Sequence, residues 1–572
     1  MIDEDSLTPG RQPSAADVQR LVGLLNAGQW AQAEAEARKG LAAHPQALVF
    51  HNLLGSALAG QSRWADAIES FRRVAAMAPQ SMETHSQLGM LYSQLGRRED
   101  AVASYRKAVA LKPDFAELHC NLGILLGQLG RHAEAADSYA QAVAVKPALA
   151  VAHYNRGTAL QALGRLDEAA QSYRRVLALQ PASAEAHSNL GAVLQAQGAL
   201  DAAIDSYRSA LAIQPDPRVH FNLGTAYRNE GRLAESVRSF ESALALAPVY
   251  PDALNNLGEV LRDQGRLDEA VACFEQALAQ DPDTSEANYN LAVLLYDRGR
   301  PDQAARYFEA SRLRDWQQRV LLCLYKTEQF EAFRAGLERL LAAPEAHAAP
   351  LLATLSAHHA ANFGVTDHCG FCPHPLDFVS HGRIDALAGE RSALREQLLI
   401  DIASAEISAR KQGRLHHGIQ SSGNLFKRPE ASFRALSGLI AEQVERYRQG
   451  LAGAEGVFAR DFPATTEFSS SWYVKMQTGG HLTSHIHETG WLSGAVYLAM
   501  PPRDAGSDAG SIEFSTDGDG YPRRHVDFPR RVCPPAVGDI VLFPSSLFHR
   551  TVPFSATEER ICIAFDIAPR MA

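Results

Sequence analysis

Between about residues 15 and 315, apolar positions recur three and four apart in short runs, the spacing that gathers them on one face of a helix, and the runs come in pairs that themselves repeat. Prolines mark the period: Pro45, Pro79, Pro113, Pro147, Pro181, Pro215, Pro248 and Pro282 lie 34 residues apart except for one step of 33. A glycine recurs inside each period at Gly55, Gly89, Gly123, Gly157, Gly191, Gly224 and Gly258, with Ala292 in the eighth place, and a second glycine commonly follows seven residues later. In the unit 116–149, Gly123 lets a first helix, A, approach a second, B, and Gly130 turns the chain between them. Ala135, Tyr139 and Ala142 recur at helical spacing in helix B, and Pro147 stops it. Residues 15–47 predict an irregular first copy that keeps Pro45 but has Leu21 in place of the helix A glycine, so about nine helix pairs are expected. From Trp316 to Asn362 the period is lost while helical spacing persists (Val320, Leu321, Leu324, Phe330, Phe333, Leu337), which predicts a helical extension closing the array. Two amphipathic helices over 390–411 and 430–451 follow, joined through Gly418-Ile419-Gln420-Ser421-Ser422-Gly423. After residue 468 the pattern changes to short alternating strands between glycine- and proline-rich turns: Ser471–Met476, Ala495–Met500, Ser511–Ser515, Asp539–Phe543 and Arg560–Asp566. An antiparallel β domain follows from that pattern, with a jelly roll as its natural closure.

The repeating unit resembles the tetratricopeptide repeat, with a small residue at place 8, glycine at 15, alanine at 20, an aromatic at 24, alanine at 27 and proline at 32, in about eight copies. Such units cannot bury their apolar faces alone and stack into a superhelix with a long concave groove suited to extended chains. Two ladders run along the A helices. His51, His85, His119, His153, His187 and His220 lie four residues before the glycine, on the packing face, and read as structural. Asn121, Asn155, Asn189, Asn222, Asn256 and Asn290 lie two residues before it, about 200° round the helix, pointing away from helix B. An amide both donates and accepts, so a regular row of them can hold an extended peptide backbone; the alternative is helix solubility with local hydrogen bonds. In its Asn-Leu-Gly wording the array is similar to that of O-GlcNAc transferases, which implies the peptide-binding use of the ladder.

At 572 residues, 46% hydrophobic and 21% charged, the chain has room for roughly three to four buried cores, and wholesale disorder is excluded. The net charge of -10 gives no general attraction to phosphate backbones or anionic lipid, so neither nucleic acid nor a membrane is an expected partner. Seven mostly isolated cysteines suit a reducing compartment better than a disulfide framework. The acidic start Met1-Ile2-Asp3-Glu4-Asp5 lacks a basic, then apolar, leader, and no run approaches the ~18 apolar residues of a membrane helix. A cytoplasmic location is therefore expected. The segment His368-Cys369-Gly370-Phe371-Cys372-Pro373-His374 sets a CxxC between histidines. A zinc site usually draws ligands from two separated clusters, so a packed connector is the stronger expectation there.

The chemistry concentrates in the β domain. Residues i and i+2 of a strand share a face, so His485 and His487 can address one point, and His549 would join them from a distant strand. Three neutral imidazoles around an open position suit Fe(II). Arg560, on the last strand, offers a fixed cation that a dicarboxylate would fit. With the phrases Ser493-Gly494-Ala495-Val496-Tyr497-Leu498 and Gly538-Asp539-Ile540-Val541-Leu542-Phe543-Pro544-Ser545, residues 377–572 resemble the 2-oxoglutarate/Fe(II) oxygenase family often fused to tetratricopeptide repeats, distantly similar to prolyl hydroxylases. The resemblance implies iron on His485 and His549, the far carboxylate of 2-oxoglutarate on Arg560 with Tyr497 as a hydroxyl partner, and O2 as the oxidant. The family's His-x-Asp reads His485-Ile486-His487 here. His487 is then either the third ligand or a substrate contact beside a bound water, while Glu488 would point to the opposite face of a regular strand.

Tyr473 and Lys475 alternate along the preceding strand, and Tyr473 is expected to line the pocket. Trp491 reads equally well as core. Asp517, Asp519 and His525 sit in a glycine-rich loop expected to be solvated. The predicted architecture is a multidomain chain: an all-α tetratricopeptide-repeat superhelix over 15–315, a helical extension and linker over 316–376, and a double-stranded β-helix (jelly-roll) domain with bracing helices over 377–572. The implied activity is hydroxylation of a protein or peptide substrate recruited by the repeat groove. Two alternatives are a non-catalytic peptide-binding scaffold with a degenerate metal site, and a small-molecule oxygenase whose repeats only recruit partners.

Overall fold

The computed structural model describes residues 13–570 apart from 314, 344, 345, 347, 390, 405–408, 411–413, 422, 423, 489 and 505. Ser422 and Gly423 of the predicted connection, and residues 390, 405–408 and 411 of the helix predicted over 390–411, lie outside the described residues. The chain divides into two compact units after Gly265.

The first unit is a run of helix pairs, beginning Ala15–Asn26 and Trp30–Ala43, then Leu48–Gly60 and Trp64–Met77, and ending in Pro251–Asp263. Each pair closes around one contact. A Cβ at Gly55, Gly89, Gly123, Gly157, Gly191 or Gly224 would lie 2.7 to 2.9 Å from the ring of Phe71, Tyr105, Tyr139, Tyr173, Tyr207 or Phe240, respectively. Only glycine lets the aromatic of helix B lie against the backbone of helix A. The histidine ladder joins successive pairs, because the Nε2 atoms of His51, His85, His119, His153 and His187 lie 3.0, 3.0, 2.9, 3.1 and 3.2 Å from the carbonyl oxygens of Pro45, Pro79, Pro113, Pro147 and Pro181. Asn288 fills the same register further on, its amide donating to the Pro282 carbonyl at 2.9 Å.

The second unit opens with the helices Leu267–Gln280, Ser285–Asp297, Pro301–Ser311, Trp316–Lys326, Phe330–Leu341 and Pro350–Phe363. Its strands are β1 (Ser380–Arg383), β2 (Ala409–Arg410), β3 (Leu415–Ser421), β4 (Thr466–Leu482), β5 (Leu492–Ala499), β6 (Ile512–Ser515), β7 (Arg530–Cys533), β8 (Asp539–Pro544), β9 (Phe548–Thr551) and β10 (Arg560–Pro569). Seven strands form one antiparallel sheet in the order β1-β8-β5-β10-β4-β3-β2, and three form a second, β7-β6-β9. Period-two alternation gives the large sheet two apolar faces. Val496, Leu498, Ile540, Leu542 and Phe565 pack against Phe433, Leu436 and Ile440 of the helix Ala431–Gly450. Their neighbours Ala495, Tyr497, Val541, Phe543 and Cys562 face the second sheet with Phe514, completing the jelly roll. Each of the valine, leucine, isoleucine and phenylalanine side chains contributes roughly 1.5–3 kcal/mol on burial.

Residues Leu415–Ser421 form a strand where the glycine and serine content predicts a connection. Gly418 is what admits it to the sheet, since a Cβ there would lie 2.6 Å from the Lys475 carbonyl oxygen. Cys369 and Cys372 are buried with Phe371 in the core beneath the large sheet, and burial pushes the Cys369 thiol up to about 12. They are packed, neutral thiols.

Candidate metal centre

The segment after β4 runs beside the β8–β9 turn and is tied to it at three points. His485 and His549 exchange backbone hydrogen bonds of 3.1 and 3.0 Å, and the His487 amide donates to the Ser545 carbonyl at 3.0 Å. This pairing brings histidines that are more than sixty positions apart in sequence onto one face. One nitrogen from each of His485, His487 and His549 lies within 4.8 Å of the others, and among the described residues this is the one group of histidine, cysteine and carboxylate side chains close enough to share a cation. The ring centroids are 4.3 to 5.4 Å apart.

Each Nδ1 has a partner: the Thr483 carbonyl at 2.8 Å from His485, the Leu547 carbonyl at 3.3 Å from His549, and the Asp566 carboxylate at 2.5 Å from His487. A ring that donates from Nδ1 keeps its lone pair on Nε2. Burial, and after it the neighbouring His487 ring, pulls His485 down to about 3, and burial followed by the other two rings holds His549 well below the ordinary histidine range. Both therefore offer neutral donors at physiological pH. Asp566 is buried. Burial alone would raise its carboxyl, but the His487 ring and the hydrogen bonds from His487, Ser493 and Ser470 outweigh it and hold the group low.

The imidazoles line a cavity of about 1140 Å³ that also takes in Arg560 and Tyr497. Arg560 is 2% exposed. Its Nε donates to the Gly510 carbonyl at 3.0 Å, Nη1 meets only the sulfurs of Cys562 at 3.5 Å and Met476 at 3.9 Å, and the guanidinium lies 5.1 Å from the Tyr497 ring centroid. Among the described residues no carboxylate pairs with it, although a buried, unpaired charge is costly. The Tyr497 hydroxyl beside it is buried and has no hydrogen-bond partner. Burial, opposed by Arg560, raises this phenol above its ordinary value, so it carries its proton. A guanidinium without a carboxylate partner and a hydroxyl without a hydrogen-bond partner, in the same cavity as three imidazoles, are a donor set that could hold a divalent metal together with a chelating dicarboxylate. The residues present fit both groups.

The remaining expectations divide. Tyr473 does not line the cavity: along β4 it is Trp472 and Val474 that do, and Tyr473 packs into the core on the other face, since odd and even positions of a strand face opposite ways. Lys475 shares that parity and pairs with Glu559 at 3.5 Å. Trp491 is core, stacked on Phe458. Glu488 borders the cavity but is taken by Arg319 at 2.5 Å. The loop expected to be solvated is instead pinned: Asp517 pairs with His358 at 3.0 Å, Asp519 with Lys326, His525 with the Ala361 carbonyl, and Tyr521 is buried against Tyr325. The outer wall of the cavity comes from the helical part of this unit, with Tyr296 and Pro301 among its residues. Sequence reasoning missed Asp566, Ser493, Ser470 and Ser545. The available signal was strand parity, since Arg560, Cys562, Ala564 and Asp566 share one face of β10 and all border the cavity.

In the repeats, Asn121 is exposed and Asn155, Asn189, Asn222, Asn256 and Asn290 are half-buried. Asn189 donates to the Tyr154 hydroxyl at 2.9 Å and Asn256 to the Asp252 carbonyl at 2.8 Å.

A family model described as "Putative 2OG-Fe(II) oxygenase" matches residues 470–566. Tetratricopeptide-repeat models match 22–81, 91–130, 116–149, 154–217, 217–281 and 257–318. No curated protein sequence matches the chain. Among solved structures, the MamA protein is 27% identical over 29% of this chain and 90% of its own, with a TM-score of 0.28. YrrB, described as a TPR protein with an unusual peptide-binding site, is 22% identical over 32% and 95%, with a TM-score of 0.30. A tetratricopeptide repeat protein from Parabacteroides merdae is 18% identical over 43% and 99%, with a TM-score of 0.35. With the repeat helices, the two-sheet roll and the family-model matches together, the chain is a tetratricopeptide-repeat protein fused to a domain of the 2-oxoglutarate/Fe(II) oxygenase family.

Proposed function

We propose that the chain is a 2-oxoglutarate- and Fe(II)-dependent dioxygenase that hydroxylates a protein or peptide held by its repeat groove. One observation carries this reading: the unpaired, buried guanidinium of Arg560 beside the unpartnered hydroxyl of Tyr497, in the cavity that holds the three imidazoles. The rings of His485, His487 and His549 would hold the metal through Nε2. Arg560 and the Tyr497 hydroxyl would bind the far carboxylate of 2-oxoglutarate and fix its orientation. With iron bound, 2-oxoglutarate and O2 supply the oxidising power, one oxygen atom leaving in succinate and the other inserted into a substrate C–H bond as CO2 is released. The protein's own work is to orient the reactants and to exclude water. Phe543, Trp472 and Val474 line the cavity, and the pinned 516–529 loop packs beside it.

Asn121, Asn155, Asn189, Asn222, Asn256 and Asn290 would hold the peptide main chain along the repeats. Linking that groove to the oxygenase domain in one chain raises the local substrate concentration. Purified protein supplied with Fe(II), 2-oxoglutarate and O2 is expected to form succinate, with a one-oxygen mass gain on its peptide substrate. Arg560→Met should lower kcat/KM for 2-oxoglutarate by about 100-fold, the order expected when a hydrogen-bonded ion pair loses one partner. Succinate formation independent of added iron, or undiminished in Arg560→Met, refutes the assignment.

A further inference from the structure

Replacing the carboxylate of a His-x-Asp iron site by His487 takes one negative charge away from the metal. The structure has a carboxylate one bond-length of hydrogen bonding further out. Asp566 is 6% exposed, and its Oδ1 accepts from His487 Nδ1 at 2.5 Å and from Ser493 Oγ at 2.7 Å, while Oδ2 accepts from Ser470 Oγ at 2.7 Å. Ser493 is in turn 2.7 Å from Ser545, and Gly490 leaves room for this network, since a Cβ there would lie 2.6 Å from Ser545 Oγ and 3.2 Å from Asp566 Cβ. Among the described residues no lysine or arginine pairs with Asp566; its ring partner is His487. A buried carboxylate is retained only where it is compensated. Such a carboxylate behind an imidazole orients the ring and raises its basicity toward a metal.

Resting on the reading of the three histidines as an iron site, we propose that Asp566 is a positioning residue that holds His487 with Nε2 toward the metal and supplies, through that ring, the negative charge that a directly bound carboxylate would contribute. The hydroxyls of Ser493 and Ser470 fix the carboxylate, and the Nδ1 proton stays on His487, shared with Asp566 Oδ1.

The test uses the full chain and Co(II) alone, followed anaerobically by its visible absorption without 2-oxoglutarate. Asp566→Asn keeps an acceptor for His487 but removes the charge, and it should weaken Co(II) binding about 10–100-fold while the metal-free protein melts no lower than the parent. Ser493→Ala, which keeps the charge, should change the affinity less than Asp566→Asn. An Asp566→Asn affinity within twofold of the parent overturns the proposal. A parent that binds no Co(II) overturns the iron reading itself, so the two failures are distinct. Independently of any variant, 15N shifts of the Zn(II)-loaded parent should show His487 protonated on Nδ1 and metal-bound through Nε2; the opposite tautomer overturns the proposal even if Asp566→Asn does not fold.

Discussion

The buried Tyr497 hydroxyl lacks a hydrogen-bond partner of good geometry, and in the proposed function it is the atom that meets the cosubstrate. Tyr497→Phe deletes it without changing the ring's packing on Arg560, so KM for 2-oxoglutarate should rise roughly 10- to 150-fold, the worth of about one hydrogen bond to a charged group. Steady-state succinate formation would show it. The histidines make a second prediction. His485 and His549 have folded-state values below the unfolded histidine value of about 6.5, so the unfolded chain takes up protons that the folded chain does not. Their contribution to stability is fully present above about 6.5 and falls as pH drops toward about 3 for His485. The metal-free protein should therefore melt lower at pH 5 than at pH 7.5, and His485→Asn should shrink that difference; a pH-independent melting temperature would contradict it. At this scale the trio was legible, because two of its members obey the strand's own period. Asp566 was not, because strand parity puts it on the cavity face of β10 but does not reveal its partner His487, which lies far off in sequence between β4 and β5. Tyr473 was misassigned for want of one parity reference, which Trp472 and Val474 now supply.

At the level of elements, the repeat period was legible almost to the residue, since proline and glycine act through local sterics: the first halts helix B and the second clears space for an aromatic ring. Gly157→Ala tests that reading. Its methyl would meet the Tyr173 ring at 2.8 Å, and overpacking of that kind costs about 1–3 kcal/mol. In a stacked array the loss should be felt mainly by this repeat and its neighbours, which local hydrogen exchange would resolve; unchanged protection there would contradict the packing account. Strand β3 and the 516–529 loop were illegible for the opposite reason. Their residues read as connectors locally, and only tertiary partners (the Lys475 carbonyl for Gly418, His358 for Asp517) decide what they become.

Across the whole molecule, the proposed function joins a peptide-holding surface to an oxidising one. If the asparagine ladder holds substrate, replacing Asn121 and Asn222 together by Ala should raise the peptide KM by about tenfold, the sum of two ordinary hydrogen bonds, while succinate formation in the absence of peptide stays as in the parent. Equal losses in both would mean that the ladder serves folding rather than binding. The wall residues Tyr296 and Pro301 belong to the same compact unit as the histidines, so shortened chains should be cut after Gly265 and not within 266–301. The most direct measurement is anaerobic titration of the full chain with Fe(II) and 2-oxoglutarate, read in the visible. A weak charge-transfer band that saturates at one equivalent and vanishes in His549→Ala and in Arg560→Met is the predicted result; a spectrum that 2-oxoglutarate does not change would contradict the account at its centre.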